Sequence, residues 1–175
     1  KTRYNIRLSA RKGVTVRHSH TEEDLKVFYH LYEITTKRDK IGKRAYEYFK
    51  NMLDAYDENH LRVYIASAQG EDLSAAIAIT YGEEMFYLYG ASSNEHRNLM
   101  PNYLLQWEMI KMAIARHDDI YDFRGVSGVV DETHPQYGLY RFKKGFGGKF
   151  TEFLGEIYIP YKPLTYKLYK FSEKL

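Results

Sequence analysis

The stretch LRVYIASAQGEDLSAAIAITYGEEMFYLYG, residues 61–90, decides the fold. It holds three runs rich in apolar, β-branched and aromatic residues: Leu61–Ala68, Leu73–Tyr81 and Met85–Gly90. Gln69-Gly70-Glu71-Asp72 and Gly82-Glu83-Glu84 separate them. Turns this tight join neighbouring strands, so the runs predict an antiparallel meander. Beyond it, Tyr103 to about Arg116 (YLLQWEMIKMAIAR) repeats apolar residues at helical spacing. Pro101 stands at the mouth of that helix, where a missing N–H costs little. Ile120–Arg124 (IYDFR) reads as a further strand. Strand, helix and strand in that order need a crossover, so the strands at Met85 and Ile120 are expected to run parallel.

Upstream of the meander, Val14–His18 alternates as a strand. Thr21 and Asp24 stand near capping-box spacing, ahead of a helix running to about Thr36 through Leu25, Phe28, Leu31 and Tyr32. A second helix carries Tyr46, Phe49, Met52 and Leu53. Downstream, residues 125–138 read as a loop and Leu139–Phe146 as a short helix ended by Gly147-Gly148. A final strand over Lys149–Ile159 and a terminal helix over Leu164–Leu175 complete the expectation. The predicted class is α/β (α+β), with a mixed, mostly antiparallel sheet flanked by helices. A meander leading into one parallel unit is similar to the GNAT acyltransferase fold. That likeness alone says nothing about substrate.

Composition narrows the function classes. The 175 residues suit a single domain with a real core. No apolar run approaches the ~18 residues of a membrane span, so stable membrane insertion is not expected. With no cysteine there is neither a disulfide framework nor a thiolate zinc site, which fits a reducing, cytoplasmic setting. The histidines lack metal-ligand spacing, so no metal is expected and His18, His20 and His134 read as loop or surface residues. The opening KTRYNIRLSARKG is basic through Lys1, Arg3, Arg7, Arg11 and Lys12. It reads as a solvated helix or linker face, or as a surface that meets phosphates. A net charge of +3 permits an anionic partner without demanding one.

The mouth of the crossover helix is a test of cofactor. GNAT acetyltransferases place a glycine-rich turn there, whose backbone N–H groups hold a pyrophosphate. Here the stretch is Arg97-Asn98-Leu99-Met100-Pro101-Asn102. Side chains fill both glycine positions and Pro101 removes a donor, so usual coenzyme A binding is not expected, and no cofactor is assigned.

RNLMPNYLLQWEMIKMA resembles the corresponding helix of the FemABX family of aminoacyltransferases. KTRYNIRLSARKGV at the start, YLYGASS (Tyr87–Ser93), YDFRGVSG (Tyr121–Gly128), LYRFKKGFGG (Leu139–Gly148) and Gly155–Ile157 resemble that family in the same order. The likeness spans nearly the whole chain. Family members have two GNAT-like domains, and a KTRYNIR-like segment opens the second. The resemblance implies that residues 1–175 form a single GNAT-like domain, the second of two, with the C-terminal return strand and helix. The connection between the Tyr46–Tyr56 helix and Leu61 is too short for the helical hairpin some members insert, as in FemX-type members.

The resemblance implies transfer of an amino acid from aminoacyl-tRNA to the stem-peptide amine of a peptidoglycan precursor, UDP-MurNAc-pentapeptide or its lipid-linked form. In that light Lys143, in Arg141-Phe142-Lys143, is the candidate to stabilise the oxyanion, and Phe142 to pack against the acceptor end of tRNA. By spacing alone Lys143 and Lys144 would be surface charges and Phe142 core. Thr36, Arg38, Tyr89 and Arg141 are candidates for substrate binding, Arg38 because its planar fork suits carboxylate or phosphate. The family's tyrosine shortly after that arginine has no match; Gly42 stands near the place. Asp122 and Arg124 read as strand-end structure. Two other readings stay open: a binding module for precursor or tRNA end, and an N-acetyltransferase using acetyl-CoA.

Overall fold

The computed structural model describes residues 1–128, 131–155 and 157–172. Its centre is a five-stranded sheet in the order β1 (Thr15–Ser19), β2 (Leu61–Ala68), β3 (Glu71–Tyr81), β4 (Glu84–Ser92), β5 (Ile120–Asp122). The first four pair antiparallel, and β4 pairs with β5 in parallel. The meander and the crossover are thus as the sequence predicts.

Helices α1 (Thr2–Arg11) and α4 (Pro101–Arg116) cover one face. Helices α2 (Glu22–Asp39) and α3 (Tyr46–Ala55) cover the other. This double cover explains why β2 and β3 are continuous apolar runs. In β2, Tyr64 and Ala66 point to α4 while Val63 and Ile65 point to α2 and α3. In β3, Ala76 and Ala78 keep the α4 side small, so Leu104, Leu105 and Met109 of α4 approach the sheet closely.

Several boundaries differ from expectation. The opening basic segment is a helix whose Asn5 and Ser9 are buried and whose Ile6 packs on the core, so only its other face is solvated. Thr21 caps α2 by accepting from the Asp24 N–H at 3.3 Å. The Asp24 carboxylate turns instead to Arg17 and Ser19, so no reciprocal box forms. Helix α2 runs three residues beyond Thr36, because Arg38 finds partners on β4. Helix α5 (Tyr137–Lys144) starts before Leu139 and ends at Gly145.

Strand β5 stops at Asp122, two residues short of the expected end, since Arg124 takes a left-handed φ of 60° that breaks extended backbone. The final strand expected over Lys149–Ile159 is not formed among the described residues. Phe153 and Leu154 are almost fully exposed there. A strand pattern forms only when it reaches an edge, and the described residues of this arm pair neither with the open edges of the sheet nor with the part of β4 left free beyond Phe86. Glu156, inside that expectation and the Gly155–Ile157 match, lies outside the described residues. Helix α6 (Pro163–Ser172) matches the terminal helix, whose last three expected residues also lie outside them.

Candidate active site

Parallel pairing of β4 and β5 lasts only three positions, Glu84, Met85 and Phe86 against Ile120, Tyr121 and Asp122. Strand β4 continues to Ser92 while the other chain turns away at Arg124, so the two splay. A bulge sits at this point. Ile77 faces Tyr89 and Ala78 faces Tyr87, so Leu88 has no opposite residue. Without it, Tyr87 and Tyr89 would share a face. With it, Met85 and Tyr87 point to the α4 side and Tyr89 and Ala91 to the α2–α3 side.

Helix α5 delivers Lys143 to the α4 side of the splay. Lys143 is buried, 8% exposed, which removes the reading of it as a surface charge. Its Nζ donates to the carbonyl of Gly125 at 2.8 Å and reaches that of Arg124 at 3.4 Å. The ring of Tyr87 lies 5.8 Å from the ammonium. Burial pulls the Lys143 pKa down to about 8, against the raising influence of Asp122. Two of the three ammonium donors have carbonyl partners, so one direction remains for a reacting oxygen. The left-handed turn at Arg124 is what points both carbonyls at the amine.

Around it lies a polar-aromatic support that sequence reasoning missed. Gln106 of α4 is 1% exposed, and its Oε1 accepts from the Tyr121 hydroxyl at 2.8 Å. Burial pushes the pKa of neighbouring Tyr87 up to about 12, with Gln106 acting in the opposite sense. The Tyr87 hydroxyl lies directly over Gly90, where any side chain would collide with it. The signal available was a glutamine inside an otherwise apolar helix face.

Phe142 joins an aromatic cluster, 5.0 Å from the Tyr103 ring and 5.3 Å from Phe146, so it is half-buried packing within the chain. Arg141 and Lys144 are exposed on the same helix. Asp122 accepts from the Arg124 N–H and pairs loosely with its guanidinium at 3.6 Å, the strand-end role expected.

The remaining candidates gather on the opposite face. Tyr89 donates or accepts at 3.1 Å with Tyr48 and stands edge-on to Tyr32, Tyr48 and Phe49. Burial and Tyr48 raise its pKa to about 12. Arg38 donates to Asp39 at 2.9 and 3.2 Å, to the Ser92 carbonyl and Asn94 at 3.0 Å each, and to the Ser92 hydroxyl at 3.3 Å. All five of its N–H groups are thus engaged within the chain. Thr36 is buried, its hydroxyl donating to the Glu33 carbonyl, while Thr35 bonds both backbone groups of Ser92. Lys143 and the Arg38–Tyr89 group therefore meet the same half of β4 from opposite faces.

The mouth of α4 bears on the cofactor expectation. The N–H groups of Leu99, Met100 and Tyr103 are bonded to the carbonyls of His96, Arg97 and Met100. Met100 itself holds a left-handed φ of 58°. With Pro101 adding no donor, this turn offers no cradle of the kind a pyrophosphate needs. Among the described residues no group of three His, Asp or Glu side chains stands ready for a metal.

The model of the FemAB family matches residues 1–72 and 67–174. This chain belongs to the FemAB family. It is 33% identical over 159 residues to the UDP-N-acetylmuramoylpentapeptide-lysine N(6)-alanyltransferase of Weissella viridescens, across 90% of this chain and 46% of that protein. The Lipid II:glycine glycyltransferase of Staphylococcus epidermidis is 27% identical over 238 residues, across 100% of this chain and 57% of that protein. The alignment runs over 238 positions against 175 residues here, so about 63 of its positions have no counterpart in this FemAB chain. The crystal structure of FemX superposes with a TM-score of 0.83 at 28% identity, covering 95% of this chain and 58% of that one. An aminoglycoside acetyltransferase from a soil metagenome shares the fold alone, with a TM-score of 0.59 at 14% identity, covering 85% of this chain and 97% of that one. The chain spans about half the length of the curated relatives it matches.

Proposed function

We propose that this FemAB chain is the acyl-transfer domain of an aminoacyltransferase that moves an amino acid from aminoacyl-tRNA to the stem-peptide amine of a peptidoglycan precursor. The observation that carries the reading is Lys143. Its ammonium is largely withdrawn from solvent at the β4–β5 splay and fixed by the carbonyls of Arg124 and Gly125. The names of the relatives support the acceptor: one is an alanyltransferase of a muramoylpentapeptide lysine, another a glycyltransferase of lipid II.

The chemistry asks little else of the protein. The amine nitrogen attacks the ester carbonyl, an oxyanion forms, and the tRNA hydroxyl leaves as the amide closes and the amine loses its proton. The ester is already activated, so orientation and charge stabilisation dominate. The one undirected N–H of Lys143 is the donor for the oxyanion. Phe142 helps to hold Lys143's helix against Tyr103 and borders the tRNA end. On the other face Tyr89, Thr36 and Arg38 serve the precursor, exposed Arg141 nearer the lysine serves the tRNA, and the remaining half of the protein, the first GNAT-like domain, completes the precursor pocket. Work on a tRNA ester sets the reaction in the cytoplasm; no helix among the described residues is long and apolar enough to cross a membrane.

The test is transfer by the full-length protein from charged tRNA to UDP-MurNAc-pentapeptide and to its lipid-linked form. Amide formation with either acceptor is expected, and calorimetry with acetyl-CoA should show no saturable binding. Acetylation from acetyl-CoA without tRNA-dependent transfer would replace this reading with the acetyltransferase one.

A further inference from the structure

The basic face of α1 is absorbed by nothing described so far. Arg3, Arg7 and Arg11 recur every four residues, so they form one stripe along the helix. The stripe lies opposite the face that buries Asn5 and Ser9. It spans about 12 Å at the helical rise. All three arginines are exposed and none makes an ion pair among the described residues. No acidic residue occurs before Glu22 to neutralise them from the same segment.

The stripe leads to the site. The Thr2 hydroxyl at the start of α1 lies against Gly145, the residue that ends α5. Arg141 and Lys144, exposed on α5, carry the positive surface on from there, and residues 137–149 contain no carboxylate. Lys143 points inward from the same turn of that helix. A cationic track thus ends beside the one buried ammonium of the splay.

We infer that the Arg3–Arg7–Arg11 stripe, continued by Arg141 and Lys144, docks the phosphate backbone of an RNA duplex and leads its single-stranded 3′ end to Lys143. This rests on the aminoacyl-tRNA reading above and deepens it. Guanidinium groups bind phosphate oxygens through two parallel bonds, and a row of them suits a row of phosphates. The competing polyanion is an anionic membrane. An interfacial helix presents apolar residues beside its cations. In α1 the apolar Ile6 is turned into the core and Leu8 is half-buried, so Tyr4 is the one large ring exposed beside the arginines; a single ring with no exposed aliphatic face suits RNA better than a bilayer.

The experiment uses the full-length protein and a short RNA hairpin with a single-stranded 3′ end and no amino acid attached. Binding is followed by fluorescence anisotropy across a salt series. Replacing Arg3, Arg7 and Arg11 together with Gln is expected to weaken binding at least about tenfold. It should also reduce the slope of log affinity against log salt by about 2–3, the loss of three phosphate contacts. The triple Arg→Lys variant should keep most of the slope. All three side chains are exposed, so the melting temperature should hold, and the Lys set remains informative if the Gln set fails to fold. Unchanged affinity and slope in the Gln variant overturn the inference. So does loss of binding to phosphatidylglycerol vesicles with RNA binding intact, which would make the stripe a membrane-facing surface. Lys143→Met separates the two readings: RNA binding should be unchanged while transfer falls. If the stripe binds RNA but transfer ignores Lys143, the functional reading fails alone. If transfer needs Lys143 but RNA ignores the stripe, this inference fails alone.

Discussion

Lys143 and Arg38 approach the same half of β4 from opposite faces of the sheet, and the protein holds them in opposite ways. Lys143 is largely desolvated with no carboxylate in contact; two carbonyl dipoles and the face of Tyr87 hold its charge, with Asp122 acting from further off. Arg38 is a quarter exposed and every donor it has is matched, two of them by Asp39. A buried charge without a carboxylate in contact is poised to gain from a new negative partner. A charge already paired gains only by exchange. The first arrangement suits stabilisation of a short-lived oxyanion. The second suits a clamp that fixes the end of α2 to Ser92 and releases Asp39 only to a competing carboxylate or phosphate.

The largest test of this contrast is Lys143→Met in the full-length protein. If the ammonium acts mainly in the transition state, single-turnover transfer should fall about a hundredfold, ~3 kcal/mol, with little change in substrate affinity. Lys144→Ala is the control. That side chain is exposed, 5.4 Å from the Tyr140 ring, and its loss should leave transfer near normal. A Met variant with full single-turnover rate would end the proposal for Lys143.

Arg38→Ala should act on a different quantity. Hydrogen bonds to a charged group contribute ~1.5–3 kcal/mol, and here they join α2 to β4. The variant is therefore expected to melt several degrees lower and to raise the apparent KM for the precursor about tenfold, with tRNA use little changed. A lower melting temperature with unchanged precursor KM would leave Arg38 a structural clamp only, and the contrast between the two faces would then be one of catalysis against scaffolding.

The legible parts of this molecule were those fixed by local pattern. Strand β2 matches its expected bounds because residues buried on both faces leave an unbroken apolar run. The Pro101 mouth of α4 was equally plain. What escaped depended on distant partners. The arm at 149–159 has the residues of a strand, yet β pairing is decided by reaching an edge, which composition does not reveal. Lys143 carries no local sign of burial. Its environment comes from a left-handed turn at Arg124, nineteen residues upstream, and lysine is otherwise an exposed residue. The bulge at Leu88 was likewise invisible, although it alone separates Tyr87 from Tyr89 and so divides the candidate site into two faces. The family resemblance had brought Lys143 and Tyr89 onto one list of candidates; the sheet sets them back to back.

The finest test uses pH. The acceptor amine must be neutral to attack, so kcat/KM should rise with pH towards the ordinary lysine value near 10.4. Lys143 opposes that rise, because burial holds its pKa at about 8. Between pH 8 and 9 its protonated fraction falls about fivefold, so the rise should flatten into a plateau if the ammonium is the working form. Loss of fold does not mimic this. A lysine whose folded pKa lies below its unfolded one penalises stability below about pH 8, and the penalty lifts as pH climbs from 8 towards 10.4. Stability therefore rises over the window in which the rate flattens, as the Lys143 penalty lifts. Lys143→Arg cannot deprotonate there, so in a variant that retains measurable transfer the rise should continue past pH 9. If the neutral Lys143 amine instead takes the proton of the attacking nitrogen, the wild-type rate should rise about a hundredfold per pH unit below pH 8 and about tenfold per unit above it, with no plateau by pH 9, and Lys143→Arg should be as slow as Lys143→Met. Profiles of wild type and Lys143→Arg that superimpose from pH 7 to 9.5 would show that the titration of Lys143 has no part in the reaction.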